Sequence, residues 1–173
     1  MSLIGLSPSN RRILSRILAS VQFTVLILQT VLATAHARAV KHDYLLAEIT
    51  SILLGALVIA SAGYSLRPSL RISPIPKPDS PLIESGIYRR VRHPMYLGVI
   101  LIGFGLSGYS DSLLAWALEV ILICDLSIKA RFEDALLLEI HPESLHYQMH
   151  VSRIMPCMGA SCKTSCSLKL TSD

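Results

Sequence analysis

The residues from Gly86 to Gly98 combine side chains that can bind a charged small molecule. This stretch holds three arginines, one histidine and two tyrosines directly before an apolar run. Guanidinium groups pair with carboxylates and phosphates, and tyrosine rings pack against aromatic ligands. The same composition is typical of a juxtamembrane anchor, in which arginine contacts lipid phosphate and tyrosine lies at the interface. The residues concerned are Tyr88, Arg89, Arg90, Arg92, His93 and Tyr96.

A second charged cluster follows a later apolar run and contains Lys129, Arg131, Glu133 and Asp134. If the two apolar runs between the clusters form a helical hairpin, this second cluster returns to the membrane face on which His93 lies. Polar groups that gather at a membrane boundary usually serve a specific function. The alternative is an ordinary polar flank, in which Lys129 pairs with Glu133 one helical turn later.

The elements that must position these clusters are four apolar segments, which predict an all-α integral membrane protein. Hydrophobic residues make up 51% of the 173-residue chain and charged residues 16%, whereas soluble domains carry about 25% charged residues. A helix needs about 20 apolar residues to cross a membrane. The first two segments reach that length, and the last two are shorter and predict a hairpin with a turn at 108–111. The segments cover about 17–35, 45–66, 94–109 and 112–128.

Charge predicts how these segments are oriented and how the chain is organised. Arginine and lysine residues concentrate at the N-terminus, between the second and third segments, and after the fourth, so both termini should face the cytoplasm. Arg38 and Lys41 depart from this pattern. We divide the chain into two N-terminal transmembrane helices (1–66), a core with the hairpin and a C-terminal amphipathic helix (67–156), and a disordered tail (157–173). Five prolines predict that the first half of 67–92 is extended.

Three other features carry less information. The G-x-G-x-x-G pattern from Gly103 to Gly108 lies inside an apolar segment, where small residues typically allow close helix packing. The four cysteines lack zinc-site spacing, so we expect no metal. The cations flank apolar segments, so we expect no nucleic-acid partner. Glu119 and Asp125 lie within the fourth segment and should face the protein interior, because charges are costly in lipid.

The two charged clusters carry a resemblance to a known family. The first block, Leu82 to Tyr88 followed by Arg92 to Gly98, resembles the signature of the isoprenylcysteine carboxyl methyltransferase family, which related membrane phospholipid methyltransferases share. The resemblance covers about 65–156. Ile87, Asp134 and Ser144 depart from the usual pattern, in which the second acidic residue is a glutamate. The second block consists of Lys129, Glu133, Asp134, Leu137, His141 to Glu143, Tyr147, Arg153 and Pro156.

The resemblance implies a pocket for S-adenosylmethionine at the cytosolic boundary, built from the last hairpin and its flanks. Glu133 matches an acidic residue that contacts the cofactor, and Lys129, or alternatively Arg131, matches a basic residue that contacts substrate. Arg92 or His93 could pair with the cofactor's carboxylate, so we expect Arg92, His93 and Glu133 to be catalytic. The positions that match the lining of the cofactor pocket are Tyr88, His93, Pro94, Met95 and Tyr96.

The activity that the resemblance implies is methylation of the carboxylate of a C-terminal isoprenylcysteine. The partners would be membrane lipid and a prenylated protein or peptide, in the endoplasmic reticulum membrane or a bacterial inner membrane. The alternatives are N-methylation of a phospholipid amine and a non-catalytic membrane protein with this fold. A carboxylate is already ionised at neutral pH and needs only a cation to orient it, whereas an amine needs a base such as Glu133 or His93.

Overall fold

The computed structural model describes residues 8–36, 44–70 and 85–155. These residues form helices and no strand, apart from one isolated bridge between Val91 and Ser152, so the all-helical prediction is confirmed. The predicted tail (157–173), the loop cations Arg38 and Lys41, and most of the proline-rich segment lie outside the described residues. The helices are α1 (Pro8–His36), α2 (Leu45–Leu70), a 3₁₀ turn (Gly86–Arg89), α3 (Pro94–Ser110), α4 (Leu113–Ile140) and α5 (Ser144–His150).

The helices extend further than the apolar segments that predict them. Helix α1 begins at Pro8, before the apolar run, and α2 continues through Pro68 to Leu70. The fourth apolar segment and the predicted amphipathic helix are one helix, α4. Polar residues extend a helix at little cost because each added residue adds one backbone hydrogen bond. A proline near the end of α2 removes only one such bond.

Helix α3 lies at the centre of the bundle and contacts α1, α2 and α4. It packs closely on α2, because a Cβ atom at Gly98 would lie 2.7 Å from the Gly55 carbonyl oxygen and 2.5 Å from Ile59 Cγ1. On its other side, Val25 of α1 and Leu122 and Leu126 of α4 form a buried apolar cluster. The glycines of α3 therefore allow both α2 and α4 to pack closely against this short helix.

A buried polar contact joins α1 to the hairpin. Gln29 Nε2 donates to Glu119 Oε2 at 2.9 Å and to Ser107 Oγ at 3.1 Å. Glu119 and Asp125 are both buried, which confirms that these acids face the protein interior. Hydrogen bonds between helices satisfy polar groups that lipid would leave without partners.

Among the described residues, two helices are long and apolar enough to cross a membrane, at Ser9–Ala35 and Leu45–Leu66. Helix α3 is apolar but has 17 residues, and α4 carries Glu119, Asp125 and Lys129 in its first two thirds. A four-span topology therefore stays a prediction.

The hairpin turn is shorter than predicted, since α3 runs to Ser110 and only Asp111 and Ser112 connect it to α4. Asp111 adopts a left-handed conformation with φ of 44°, which aspartate tolerates better than most residues. The tight turn makes α3 and α4 antiparallel neighbours. It thereby brings the start of α3 level with the second half of α4.

Candidate active site

The hairpin brings the two charged clusters into contact. His93 precedes α3, and its Nε2 atom lies 2.9 Å from Asp134 Oδ1 on α4. Its other ring nitrogen, Nδ1, lies 3.5 Å from Glu133 Oε2. One imidazole ring therefore lies between two carboxylates that are adjacent in the sequence.

Tyr96, in the first turn of α3, extends this arrangement along the helix. Its hydroxyl donates to Glu133 Oε1 at 2.6 Å, and its ring stacks on His93 with centroids 5.2 Å apart. Lys129 Nζ lies 5.2 Å from the centre of the same ring, within the range of a cation–π contact. Lys129 also donates to Gln22 Oε1 on α1 at 3.3 Å.

Asp134 is a buried carboxylate that three basic side chains contact. Besides His93, it has Arg153 Nε at 2.7 Å and Arg92 Nη1 at 2.9 Å, both from Oδ2. Burial by itself would raise the pKa of Asp134, but the hydrogen bonds from His93 and Arg153 and the charge of Arg92 lower that pKa below its ordinary value. Asp134 is therefore ionised at neutral pH.

Arg92 has hydrogen-bonding capacity that the protein does not use. Its side chain is 9% exposed, yet its Nε and Nη1 atoms have no hydrogen-bond partner among the described residues. The approach of Nη1 to Asp134 is thus a charge contact without hydrogen-bond geometry. Burial lowers the pKa of Arg92, and the neighbouring Asp134 partly offsets this. A buried guanidinium with unused N–H groups is suited to binding an anion.

The C-terminal residues close one side of the site. The Tyr147 hydroxyl on α5 donates to the Tyr88 carbonyl at 2.6 Å, and Gln148 Nε2 donates to the Asp134 carbonyl at 3.0 Å. Beyond α5, the backbone N–H groups of Arg92 and His93 donate to the carbonyls of residues 152 and 153, each at 2.9 Å. Tyr147 and Arg153 are thus part of the site, although the sequence identified them only as matching positions.

These side chains surround a cavity of about 260 Å³. Its polar wall comes from the charged clusters, and its apolar wall comes from one leucine of α2 and one of α4. Burial raises the pKa of Tyr88 above its ordinary value, so its hydroxyl is neutral at physiological pH. The lining residues are Leu66, Tyr88, Arg92, His93, Glu133, Asp134, Leu137 and Tyr147.

The remaining candidate residues from the sequence do not line this cavity, and they differ in burial and in the face of the helix on which they lie. Pro94 is buried at the first position of α3, and Met95 is 44% exposed and is not part of the lining. Lys129 lies one turn before Glu133 on the same face of α4. Arg131 is exposed, and its position two residues from Glu133 places it about 200° around the helix. Among the described residues, no group of three or more metal-type side chains is arranged to hold a metal ion.

Comparison with protein-family models gives one finding. Residues 45–144 match the model of the phospholipid methyltransferase family. The match covers more than half of the chain, from the start of α2 to the start of α5, and includes both charged clusters. Comparison with curated proteins found no match. Comparison with solved structures found none either.

Proposed function

Because the chain belongs to the phospholipid methyltransferase family, which is part of the isoprenylcysteine carboxyl methyltransferase-like superfamily, we propose that it transfers a methyl group from S-adenosylmethionine to the amine of a membrane phospholipid. The observation that carries this proposal is the cavity between the charged clusters. Its lining combines an anion-binding group, Arg92, and a carboxylate, Glu133, with two leucine side chains.

The residues of the cavity fit the implied cofactor. Arg92 offers buried N–H groups to a carboxylate, and the Glu133 side chain, 44% exposed, can accept hydrogen bonds from an ammonium or from ribose hydroxyls. Tyr88, Leu66 and Leu137 provide the apolar surface that an adenine ring requires. The charges of the cavity thus match the two charges of an amino-acid group.

When bound, the sulfonium supplies an activated methyl group whose C–S bond breaks as the new bond to the acceptor forms. The protein's own contribution is to hold donor and acceptor in line, about 3–3.5 Å apart, and to exclude water. Arg92 and Glu133 bind the donor's charged end. Tyr96 orients Glu133 through its 2.6 Å hydrogen bond. The segment after α5 holds residues 92–93 in position through its backbone hydrogen bonds.

The family match favours a phospholipid amine as acceptor. A second candidate is the carboxylate of a C-terminal prenylcysteine, and Lys129 is the observation that favours it. Lys129 lies one turn deeper along α4 than Glu133, beside Tyr96, where a cation can orient a negatively charged acceptor. Either acceptor carries a lipid chain and so requires a membrane setting. We propose the endoplasmic reticulum membrane in a eukaryotic cell and the inner membrane in a bacterium.

The test is transfer of labelled methyl from S-adenosylmethionine by the full chain reconstituted in lipid. Phosphatidylethanolamine and N-acetyl-farnesylcysteine serve as the two acceptors. Transfer to the phospholipid, lost in Glu133→Gln, is the expected result. Glu139→Gln is the matched control, because Glu139 lies on the same helix but pairs with Arg11 outside the cavity. Transfer to the prenylcysteine alone would replace the proposed acceptor, and a chain that fails to bind S-adenosylmethionine would overturn the proposal.

A further inference from the structure

His93 is held on both ring nitrogens by acidic side chains of one helix. Nε2 is 2.9 Å from Asp134 Oδ1, and Nδ1 is 3.5 Å from Glu133 Oε2. The two carboxylates differ in accessibility, since the Asp134 side chain is 6% exposed and the Glu133 side chain 44% exposed. Both carboxylates line the cavity, but Glu133 is the one that a ligand can reach more easily, whereas Asp134 is mainly held by other side chains of the protein.

The surroundings of Asp134 decide which nitrogen of His93 carries the proton. Its Oδ2 atom accepts from Arg153 and lies beside Arg92, so the group is a carboxylate. A carboxylate only accepts hydrogen bonds, so His93 Nε2 must be the donor in their 2.9 Å contact. In the neutral ring, the lone pair then lies on Nδ1, which faces Glu133.

We propose that Asp134 is a positioning residue that fixes the His93 proton on Nε2, so that Glu133 and His93 Nδ1 together remove the proton that an amine acceptor must lose before it is methylated. This inference rests on the proposed function and concerns the same site. Nothing in the family match assigns a role to Asp134.

The acceptor enters as an ammonium, whose nitrogen has no lone pair. One N–H bond breaks, its electron pair stays on nitrogen, and the proton forms an O–H bond with Glu133. Glu133 passes the proton to His93 Nδ1, which becomes an imidazolium held by Asp134, and the ring returns the proton to solvent. The amine lone pair is then free to form the N–C bond. A carboxylate acceptor needs no such step.

Most of the other charged groups around His93 are cations, so few side chains besides Asp134 can stabilise a protonated ring. Tyr96 stacks on the ring from α3, and Lys129 lies beyond Tyr96. Arg92 precedes His93 in the chain, and Arg153 lies on the C-terminal segment. Three cations thus oppose a positive charge on His93. Asp134 and Glu133 are the groups that stabilise the imidazolium, and Asp134 is the buried one.

The first test reads the tautomer directly and does not depend on cofactor or activity. The full chain, labelled with ¹⁵N-histidine in lipid nanodiscs, gives one pair of ring nitrogen signals per histidine, and His93→Gln identifies those of His93. The neutral wild-type ring should carry its proton on Nε2. In Asp134→Asn, the amide oxygen should remain with the two arginines, and the amide N–H groups should then face Nε2. The proton is therefore expected to move to Nδ1, as in a catalytic triad whose aspartate is replaced.

Arg153→Gln is the matched control for this measurement. It removes one contact with Asp134 Oδ2 and leaves the contact between Oδ1 and His93 in place. The Nε2 tautomer should persist in this variant. Asp134→Glu, which keeps the negative charge, should also retain it. An Nε2 proton in Asp134→Asn would overturn the proposal.

The second test is the pH profile of methyl transfer to phosphatidylethanolamine. At pH 7, Asp134→Asn should lower kcat by roughly 100-fold, the lower range of general-base effects. The deficit should shrink as the pH rises, because the acceptor then loses its proton to solvent. A deficit that is equal at every pH would show a purely structural role and would overturn the proposal. If the wild-type chain transfers no methyl group, the proposed function fails, whereas the tautomer measurement still decides the role of Asp134.

Discussion

Asp134 contacts three side chains that lie far from it along the chain, two before α3 and one after α5. Its Oδ1 atom accepts from His93 and its Oδ2 atom from Arg153, with Arg92 beside it. Because the side chain is buried, removing its charge would leave the Arg92 guanidinium without a counter-ion in the interior. Breaking a buried pair in this way is typically far more costly than losing a surface pair.

Acid should therefore loosen the C-terminal segment. The pKa of Asp134 in the folded protein lies below its ordinary value, about 3.9 in an unfolded chain. A lowered pKa contributes stability that is present above the unfolded value and is lost as the pH falls through the folded value. Hydrogen-exchange protection factors of residues 144–155 should be constant from pH 7 to about 5 and fall below pH 4. Protection that holds to pH 2 in the wild type, or falls equally in Asp134→Asn, would contradict this.

Lys129 and Arg131 differ in position, and this difference predicts different effects on the acceptor. Lys129 lies on the Glu133 face of α4 and beside Tyr96, whereas Arg131 is exposed on another face. With the carboxylate acceptor N-acetyl-farnesylcysteine, Lys129→Gln should raise KM by roughly tenfold, the value of one lost charge-assisted hydrogen bond, and Arg131→Gln should have a smaller effect. Steady-state kinetics on the two variants measures this. A larger effect for Arg131→Gln would assign the acceptor contact to Arg131.

At the residue scale, the sequence located part of the site and missed the rest for a physical reason. His93, Tyr96 and Glu133 could be placed together because a tight hairpin aligns the start of one helix with the end of the next. Gln22 and Arg153 could not, since neither helical periodicity nor charge determines how α1 docks or where the chain turns after α5. Met95 illustrates the opposite case, because a neighbour in the motif need not face the cavity.

At the scale of helices, the apolar runs indicated which elements exist but not where they end. Hydropathy reports which residues favour lipid, whereas a helix ends where its backbone hydrogen bonds end. Helix α4 therefore continues for twelve residues beyond the predicted span, from 128 to Ile140. That continuation carries Glu133 and Asp134. If the helix ended at residue 128, the hairpin would no longer fix the positions of Glu133 and Asp134.

Glycine contacts between α2 and α3 provide a test at this scale. A Cβ atom at Gly98 would lie 2.7 Å from the Gly55 carbonyl, which is backbone and cannot move aside, whereas at Gly63 nothing lies within 4 Å. Gly98→Ala should destabilise the protein by about 1–3 kcal/mol, the usual cost of overpacking. Gly63→Ala should leave stability unchanged or raise it by up to about 1 kcal/mol through helix propensity. Thermal unfolding in detergent measures both. Equal effects would show that α2 and α3 are not in close contact there.

At the scale of the whole molecule, helix lengths predict where the site lies relative to the membrane. Helix α4 has 28 residues and is about 42 Å long, whereas the hydrocarbon core is about 30 Å thick. If α4 crosses the membrane, as the four-span prediction has it, its surplus length projects from one side. Arg11 on α1 pairs with Glu139 on that same end of α4, so both helices would then emerge on the same side. On this topology we expect the cavity to lie at the boundary, where a water-soluble donor and a lipid-borne acceptor would meet.

Labelling of single cysteines tests this topology. In a chain whose four cysteines are replaced by serine, Ser112→Cys marks the hairpin turn, and Glu143→Cys marks the turn after α4. Arg12→Cys marks the start of α1. An impermeant maleimide applied to sealed vesicles should modify positions 12 and 143 from the cytosolic side and position 112 from the opposite side, because arginine and lysine flank the first two. Modification of 112 and 143 from the same side would mean that α4 does not cross the membrane. The hairpin would then lie in the interface, and the acceptor would reach Glu133 along the membrane surface and not from between the helices.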